Sequence, residues 1–126
     1  MARNISFAKT KQQIRDRSKT VTRRFGWAFL KSGDILCGVE KGMGLKKGEQ
    51  VVRLAMIDVV SVRRERVDAI TQGDVVREGF PDLTPDQFID DVLLKGAKVP
   101  NGEGGHRPAT RADICTRIEF GYLPKF

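Results

Sequence analysis

The chain has 126 residues, of which 40% are hydrophobic and 31% charged, a balance typical of one soluble globular domain rather than of a disordered chain. It has no apolar run near the roughly 20 residues of a membrane helix and no signal-peptide segment in residues 1–10, so we expect a single cytoplasmic domain spanning 1–126, without membrane contact. One histidine and two cysteines without a CxxC pair exclude a structural zinc site, so we expect no metal, no cofactor and two reduced thiols.

The formal net charge of +7 is distributed unevenly along the chain. Residues 1–31 contain nine basic side chains and one acidic, whereas residues 67–96 contain seven acidic side chains and two basic. A concentrated basic patch attracts a polyanion more effectively than the same charge spread evenly. The basic third is therefore the predicted face for an anionic partner, although both stretches also fit solvated surfaces.

Alternation of apolar and polar residues predicts short strands in the first third of the chain. In chain order we predict a strand at 4–8, a basic helical turn at 10–17, a β-branched and charged segment at 19–24, a strand at 35–40, and a flexible basic loop at 41–48. Ser32-Gly33-Asp34 is the turn that begins the strand at 35.

Residues 50–63 form the strongest strand pattern in the chain. Apolar side chains occupy both of its faces, interrupted by Asp58, and 13 or so residues are long for one flat strand. This pattern predicts a bent strand that curls around a small barrel, where bulges and corners are common.

Two helices are predicted in the acidic part of the chain. Thr71 is the expected N-cap of a helix over 74–78, and Gly79 is its expected end. Thr84-Pro85-Asp86-Gln87 forms a capping box with proline at the first helical position, and an apolar helical face follows it.

The glycine-rich residues 97–110, which include His106, predict a mobile loop, and residues 116–122 predict a final strand. Strands at both ends with helices inserted late indicate an α+β domain. We expect its terminal strands to pair within one small closed β-barrel that carries two or three peripheral helices.

The segment Lys19-Thr20-Val21-Thr22-Arg23-Arg24 resembles the signature of ASCH domains, a PUA-like barrel family whose motif is GxKxxExR. Lys19 and Arg24 match this motif, while Arg17 and Thr22 stand at its glycine and glutamate positions. The variant KTxTRR, followed by a Gly-Asp turn and a strand ending at Glu40, is similar to ASCH proteins often encoded by phages and prophages. The resemblance implies a PUA-like barrel in a bacterial host cell.

A closer functional resemblance is to small bacterial ASCH enzymes that hydrolyse the acetyl amide of N4-acetylcytidine. These enzymes use a lysine, a threonine three residues later, and a distant glutamate before a Leu-Thr segment. Lys19, Thr22 and Glu78 occupy these positions. The resemblance implies that Thr22 is the nucleophile and Lys19 its base, and that Glu78 either orients the lysine or binds the exocyclic nitrogen of the nucleobase. Arg24 or a backbone amide would hold the oxyanion.

The catalytic hypothesis makes two physical demands. Residues three apart on a regular strand point to opposite faces, so Lys19 and Thr22 share a pocket only if the strand is interrupted between Ser18 and Thr22. A lysine base near neutral pH also needs a pKa roughly three units below the usual value of about 10.4. Burial and the neighbouring arginines act in that direction, and Glu78 acts against it.

Other residues are candidates for binding the ligand. In the binding hypothesis, Lys19, Arg23 and Arg24, with Lys46 and Lys47, are predicted to hold RNA phosphates, and Trp27 is placed to stack on a base beside them. Glu40, at the end of its strand, is a further candidate for ligand binding. The alternatives are that Trp27 packs in the core and that Lys19, Thr22, Glu40 and Glu78 have ordinary structural roles.

Three functions therefore remain open. The first is a domain that binds RNA, a nucleobase or a nucleoside in a basic cleft around residues 19–24. The second is an amidohydrolase for N4-acetylated cytidine, and the third is a phage protein that contacts an acidic host protein. We expect a monomer in each case, with the cations of the basic third converging on the mouth of the barrel.

Overall fold

A computed structural model of the protein describes residues 2–41 and 46–124. The described residues form a mixed α+β fold, as predicted. Its elements in chain order are β1 (Arg3–Ser6), α1 (Lys11–Arg15), β2 (Val21–Arg24), β3 (Ile35–Val39), β4 (Arg53–Arg66), α2 (Gln72–Arg77), α3 (Pro85–Phe88), β5 (Lys98–Pro100), β6 (His106–Pro108) and β7 (Ile114–Tyr122). A 3₁₀ turn at Val67–Ala69 follows β4, and a π-helical turn at Ile89–Leu93 extends α3. Within the two described ranges, no helix has the length and apolar character needed to cross a membrane.

Five strands form one curled sheet in the order β1-β3-β4-β7-β2. Only β1 and β3 run parallel, and the other neighbouring pairs are antiparallel. The edge strands β1 and β2 do not pair with each other in the described part of the chain, so the sheet is a half-barrel and the predicted closed barrel is wrong. The terminal strands do not pair either, because β1 pairs with β3 whereas β7 lies between β4 and β2. Strand periodicity carries no information on strand order, which explains the error.

The long strand β4 is bent, as its two-sided apolar pattern predicts. Its 14 residues pair with β3 along the first part and with β7 along the second. The register against β7 shifts between Val59 and Ser61, and the intervening Val60 is exposed. One extra residue on one strand is a β-bulge, which increases local twist. The bulge bends β4, so the strand follows the curl of the sheet.

The glycine-rich segment does not form the predicted loop. Strands β5 and β6 pair there as an antiparallel hairpin, with Val99 opposite Arg107. The Asn101 side-chain oxygen accepts hydrogen bonds from the backbone N–H groups of Glu103 and Gly105, which organises the turn. The connection at 101–105, with Gly102 and Gly104 at positive φ, is a longer glycine-containing hairpin loop, but the same glycines also suggest a mobile loop.

Both predicted helix caps are confirmed. The Thr71 hydroxyl accepts a hydrogen bond from the backbone of Asp74, so α2 begins at Gln72. Thr84 and Gln87 exchange the two bonds of a capping box at α3. Each cap satisfies N–H groups that the first helical turn leaves without partners. Three short helices thus accompany the sheet.

Two groups of buried side chains make up the core. The first packs the sheet against α1 and includes Phe7, Ile14 and Phe120. The second packs the start of β7 against the helical segment and includes Val75 and Phe88. Both cysteines are buried and unpaired. The candidate site lies where the two groups meet, since Phe7 and Phe88 line the same cavity.

Candidate functional site

A cavity of about 350 Å³ lies beside the edge strands β1 and β2. Its wall on the sheet side comes from residues 6–10 and from residues in the 19–25 segment, and its other wall comes from the helical region 78–97. This volume falls within the usual range of small-molecule sites. The cavity contains every residue of the predicted Lys-Thr-Glu set.

Lys19 lies outside the regular strand that contains Thr22. Strand β2 begins at Val21, so the alternation rule that would separate the two side chains does not apply to Lys19. The backbone before the strand is fixed by hydrogen bonds, since Thr20 N–H donates to Arg77 and the Thr20 carbonyl accepts from Phe120. Lys19 and Thr22 both line the cavity, which meets the geometric demand made above.

Lys19 and Glu78 form a buried ion pair. The Lys19 side chain is 4% exposed, and its Nζ donates to Glu78 Oε1 at 2.8 Å and to the Glu78 carbonyl at 2.9 Å. Burial lowers the pKa of Lys19, and the charges of Arg24 and Arg23 lower it further, while the Glu78 carboxylate opposes the shift. Burial is the largest of these effects because a cation loses its hydration in an apolar site.

Arg23 is the centre of a charge network beneath the cavity. Its guanidinium, 1% exposed, bonds to the carboxylates of Glu65, Asp74 and Glu78. Arg117 also bonds to Asp74, through Nε at 2.7 Å. The buried cations Lys19, Arg23 and Arg117 pair with Glu65, Asp74 and Glu78. More exposed side chains extend the network: Arg63 at Glu65, Arg77 at Asp74 and Glu119 at Arg117. In the described residues, no buried side-chain polar atom lacks a hydrogen-bond partner.

Arg24 differs from Arg23 because, within residues 2–41 and 46–124, it makes no ion pair with a carboxylate. Its guanidinium lies 5.2 Å from the centre of the Phe7 ring, and it donates to the Ser6 carbonyl and, at 3.4 Å, to Thr22 Oγ1. Burial lowers the pKa of Arg24, but an arginine remains cationic at neutral pH. Within the described ranges, Arg24 is therefore the half-buried cavity cation without a carboxylate partner, and the other unpaired cations, Lys9 and Lys95, are exposed.

Four predicted ligand-binding residues do not line this cavity. Trp27 stacks on Phe29, with ring centres 5.5 Å apart, and packs against the first core group. Glu40 pairs with Arg15 and Lys11. Lys46 and Lys47 are exposed, and residues 42–45 of their predicted loop lie outside the described residues.

The predicted convergence of the basic third holds for part of that segment. Lys9, Lys19, Arg23 and Arg24 line the cavity, with the exposed Lys9 and Lys95 at its rim. Arg15 and Arg17 instead line a second cavity, and Arg3 packs over the Phe29 ring. The cavity is thus less basic than the sequence suggests, because its innermost cations are neutralised.

The sequence patterns do not single out Glu65 and Asp74, the two carboxylates that pair with Arg23 beside Glu78. Asp74 is 4% exposed although it lies in the acidic stretch expected to be solvated. Its partner Arg117 lies on β7, 43 residues away, and no local pattern connects the two. The one local signal available is the adjacent apolar Val75, which is buried on the same helix. The described residues contain no cluster of three or more His, Cys, Asp or Glu side chains that would suit a metal ion.

Comparison with known proteins gives one result on the fold. No family model matches the chain, and no curated protein matches it. The crystal structure of protein EF3133 from Enterococcus faecalis V583, described as a DUF984 protein, is similar to this chain with a TM-score of 0.72. The two share 14% identity over 98% of this chain and 77% of that chain. At this identity the similarity concerns the fold alone.

Proposed function

We propose that the protein is an amidohydrolase that acts on a small N-acylated nucleoside of the N4-acetylcytidine type. The observation that carries the proposal is that Lys19, Thr22 and Glu78 line one cavity, with the lysine amine bonded to the glutamate. The sequence resemblance to ASCH amidohydrolases supports the same assignment. The cavity volume of about 350 Å³ suits a pyrimidine with its acetyl group.

The hydrogen bonds of Lys19 are compatible with a neutral amine. A neutral amine has two N–H groups and one lone pair, and Glu78 accepts two hydrogen bonds from Lys19 Nζ, through its carbonyl and Oε1. The lone pair is then free to accept the proton of the Thr22 hydroxyl, whose side-chain hydrogen-bond partner among the described residues is Arg24 Nε at 3.4 Å. Glu78 fixes the orientation of the amine, and the lowered pKa of Lys19 increases the neutral fraction.

In the proposed reaction, Thr22 Oγ1 attacks the acetyl carbonyl while Lys19 takes the hydroxyl proton. The carbonyl oxygen becomes an oxyanion, for which Arg24 supplies the charge. When the C–N bond breaks, the lysine ammonium returns the proton to the amine nitrogen of cytidine. A water molecule then hydrolyses the acetyl-threonine ester, releasing acetate and restoring the hydroxyl.

Aromatic side chains supply the apolar part of the cavity. Phe7, Phe25, Phe80 and Phe88 line it, and Phe80 and Phe88 are in contact with ring centres 5.6 Å apart. Such walls suit the face of a pyrimidine and lower the local dielectric, which strengthens the charges of Arg24 and Glu78.

The test is incubation of the purified protein with N4-acetylcytidine, with cytidine and acetate measured by proton NMR. Thr22→Ala should lower the rate by about 10²-fold or more because the nucleophile is lost, while Thr22→Ser should retain part of it. Lys19→Arg should also abolish turnover, since arginine keeps the charge but cannot accept the proton.

Thr20→Ala is the matched control, because Thr20 lies in the same segment but does not line the cavity. Its rate should equal that of the parent protein. Failure of the parent to release cytidine, or full activity in Thr22→Ala, would contradict the proposal.

A second candidate is binding of a nucleobase within RNA without hydrolysis. The exposed lysines at the cavity rim, Lys9 and Lys95, favour it, because they are placed to meet phosphates of a strand whose base enters the cavity. Affinity for RNA should then fall steeply with added salt, whereas hydrolysis of the free nucleoside does not require this dependence. Contact with an acidic host protein stays a prediction.

A further inference from the structure

A second cavity, of about 310 Å³, shares no lining residue with the first. Three arginines and an apolar floor form it: Arg15, Arg17 and Arg53 with Ile14, Leu54, Ala55, Met56, Leu123 and Pro124. It lies between the end of α1, the start of β4 and the chain after β7. No acidic side chain is among these lining residues.

The charge of this cavity is only partly neutralised. Arg15 pairs with Glu40, but Arg17 and Arg53 form no ion pair among the described residues. The Arg17 guanidinium lies 5.5 Å from the centre of the Tyr122 ring. Each guanidinium presents a fork of N–H donors that matches a planar carboxylate.

The apolar residues that line the second cavity indicate what kind of group an anionic ligand would carry. Leu54, Met56 and Leu123 are half-buried and aliphatic or thioether side chains. Among the described residues, no aromatic ring lines the cavity, so the described part of its wall lacks the stacking platform that a nucleobase needs. An aliphatic chain fits this floor better than a base does.

The end of α1 places Arg17 at this cavity. Arg17 follows Asp16, the C-cap of α1, and has φ of 65°. Helices commonly end with a residue in this left-handed conformation, which glycine adopts without strain. The turn that ends the helix therefore lies beside the cavity that Arg17 lines.

We propose that the second cavity binds a carboxylate carried on a short aliphatic chain. The guanidinium groups of Arg17 and Arg53 hold the carboxylate, and Leu54, Met56 and Leu123 contact the chain. Two sources share this chemistry, a free fatty acid and the C-terminus of a peptide that ends in aliphatic residues. The proposal is independent of the amidohydrolase activity, because the two cavities have no residue in common.

The test is titration of the ¹⁵N-labelled protein with octanoate, followed by amide chemical shifts. Octanoate should shift amides in residues 14–17, 53–56 and 123, while octanamide, which has the same chain without the charge, should bind at least about tenfold more weakly. Acetyl-Ala-Leu-Leu with a free or an amidated C-terminus is the second probe pair. Saturation by the free-acid peptide identifies a peptide terminus, and saturation by octanoate alone identifies a fatty acid.

Single substitutions test the contribution of each arginine charge to binding. Arg17→Gly removes the side chain at a position where glycine is unstrained, and Arg53→Gln removes the second charge; each should weaken octanoate binding about tenfold. Arg66→Gln removes one exposed charge elsewhere on β4 and should leave binding unchanged. Equal binding of octanoate and octanamide, unchanged binding in both cavity variants, or no shift with any probe would overturn the proposal.

Discussion

Asp74 pairs with more arginines than any other carboxylate among the described residues. It accepts hydrogen bonds from two buried arginines, Arg23 and Arg117, and from the more exposed Arg77. These bonds, those of Arg117 first, hold the pKa of Asp74 well below its usual range. Buried cations that lose such a partner keep their desolvation cost without compensation. Asp74 therefore compensates part of the desolvation cost of the buried arginines Arg23 and Arg117.

Asp74→Asn is expected to lower the free energy of unfolding by about 3–5 kcal/mol, because both buried arginines lose their shared carboxylate. Urea unfolding followed by circular dichroism measures the change. Asp68→Asn is the matched control, since Asp68 pairs with Arg66 on the surface and should cost no more than about 1 kcal/mol. Equal losses in the two variants would contradict the assigned role.

The same carboxylate gives this prediction a pH dependence of known sign. The pKa of Asp74 is lowered in the folded state, so its contribution is complete above the unfolded value of about 3.9 and is lost as pH falls towards the folded value. The stability difference between the parent protein and Asp74→Asn should therefore shrink as the pH is lowered from 5 towards 2. A constant difference over that range would argue against an ionised Asp74.

The sequence predicts part of the candidate site. The resemblance selects Lys19, Thr22 and Glu78 as candidates, and the cavity contains all three. Arg17, at the glycine position of the resembled motif, has a positive φ, which glycine adopts without strain. Asp74 and Arg117 could not be paired in advance, because 43 residues and the strand order separate them.

At the scale of elements, the end of α2 positions Glu78. Gly79 follows Glu78 with φ of 97°, and the Gln13 side chain of α1 donates to its carbonyl. A side-chain carbon added at Gly79 would lie 2.7 Å from Gln13 Cγ. Close packing of α1 against this turn therefore fixes the carboxylate that meets Lys19.

Gly79→Ala should destabilise the protein by about 1–2 kcal/mol through backbone strain, and by about 1–3 kcal/mol more through the clash with Gln13. Gly33→Ala is the control, because Gly33 has a similar φ of 94° and nothing within 4 Å of the added carbon. The difference between the two midpoints of thermal unfolding isolates the clash. Identical midpoints would show that α1 does not pack tightly on the turn.

Elements that depend on residues close together in the sequence are mostly predicted correctly, whereas features that depend on distant contacts are not. Helix caps at Thr71 and Thr84, and the bend of β4, depend on residues within a few positions, and the structure confirms them. The hairpin at 98–108 also has a local signal in its glycine-containing connection at 101–105, but the same glycines suggest a mobile loop. The order of strands in the sheet depends on contacts distant in sequence, and no period encodes it.

At the scale of the whole molecule, the open edge of the half-barrel coincides with the candidate site. Strands β1 and β2 are the edges of the sheet, and the Arg24 side chain bridges them by donating to the Ser6 carbonyl. Thr22 and Arg24, two apart on β2, share a face and both line the cavity. A closed sheet would pair these edges and remove the opening, so the cavity is accessible because the barrel is incomplete.

Stability should differ between the parts of this open architecture. Strand β7 has neighbours on both sides, whereas β5 and β6 pair only with each other and their residues are exposed or half-buried. An isolated two-stranded hairpin is marginal in water, so it should open without unfolding of the sheet.

Amide hydrogen exchange tests this division. The Phe120 amide, which donates to Thr20, should exchange only through global unfolding, whereas the Asn101 and Ala109 amides of the hairpin should exchange at least about 10²-fold faster. In Asp74→Asn, protection of Phe120 should fall by the same free energy as in urea unfolding, because Arg117 on β7 contacts Asp74. Protection of the hairpin amides should stay unchanged in that variant. Equal loss in both regions would mean that hairpin and sheet unfold as one unit.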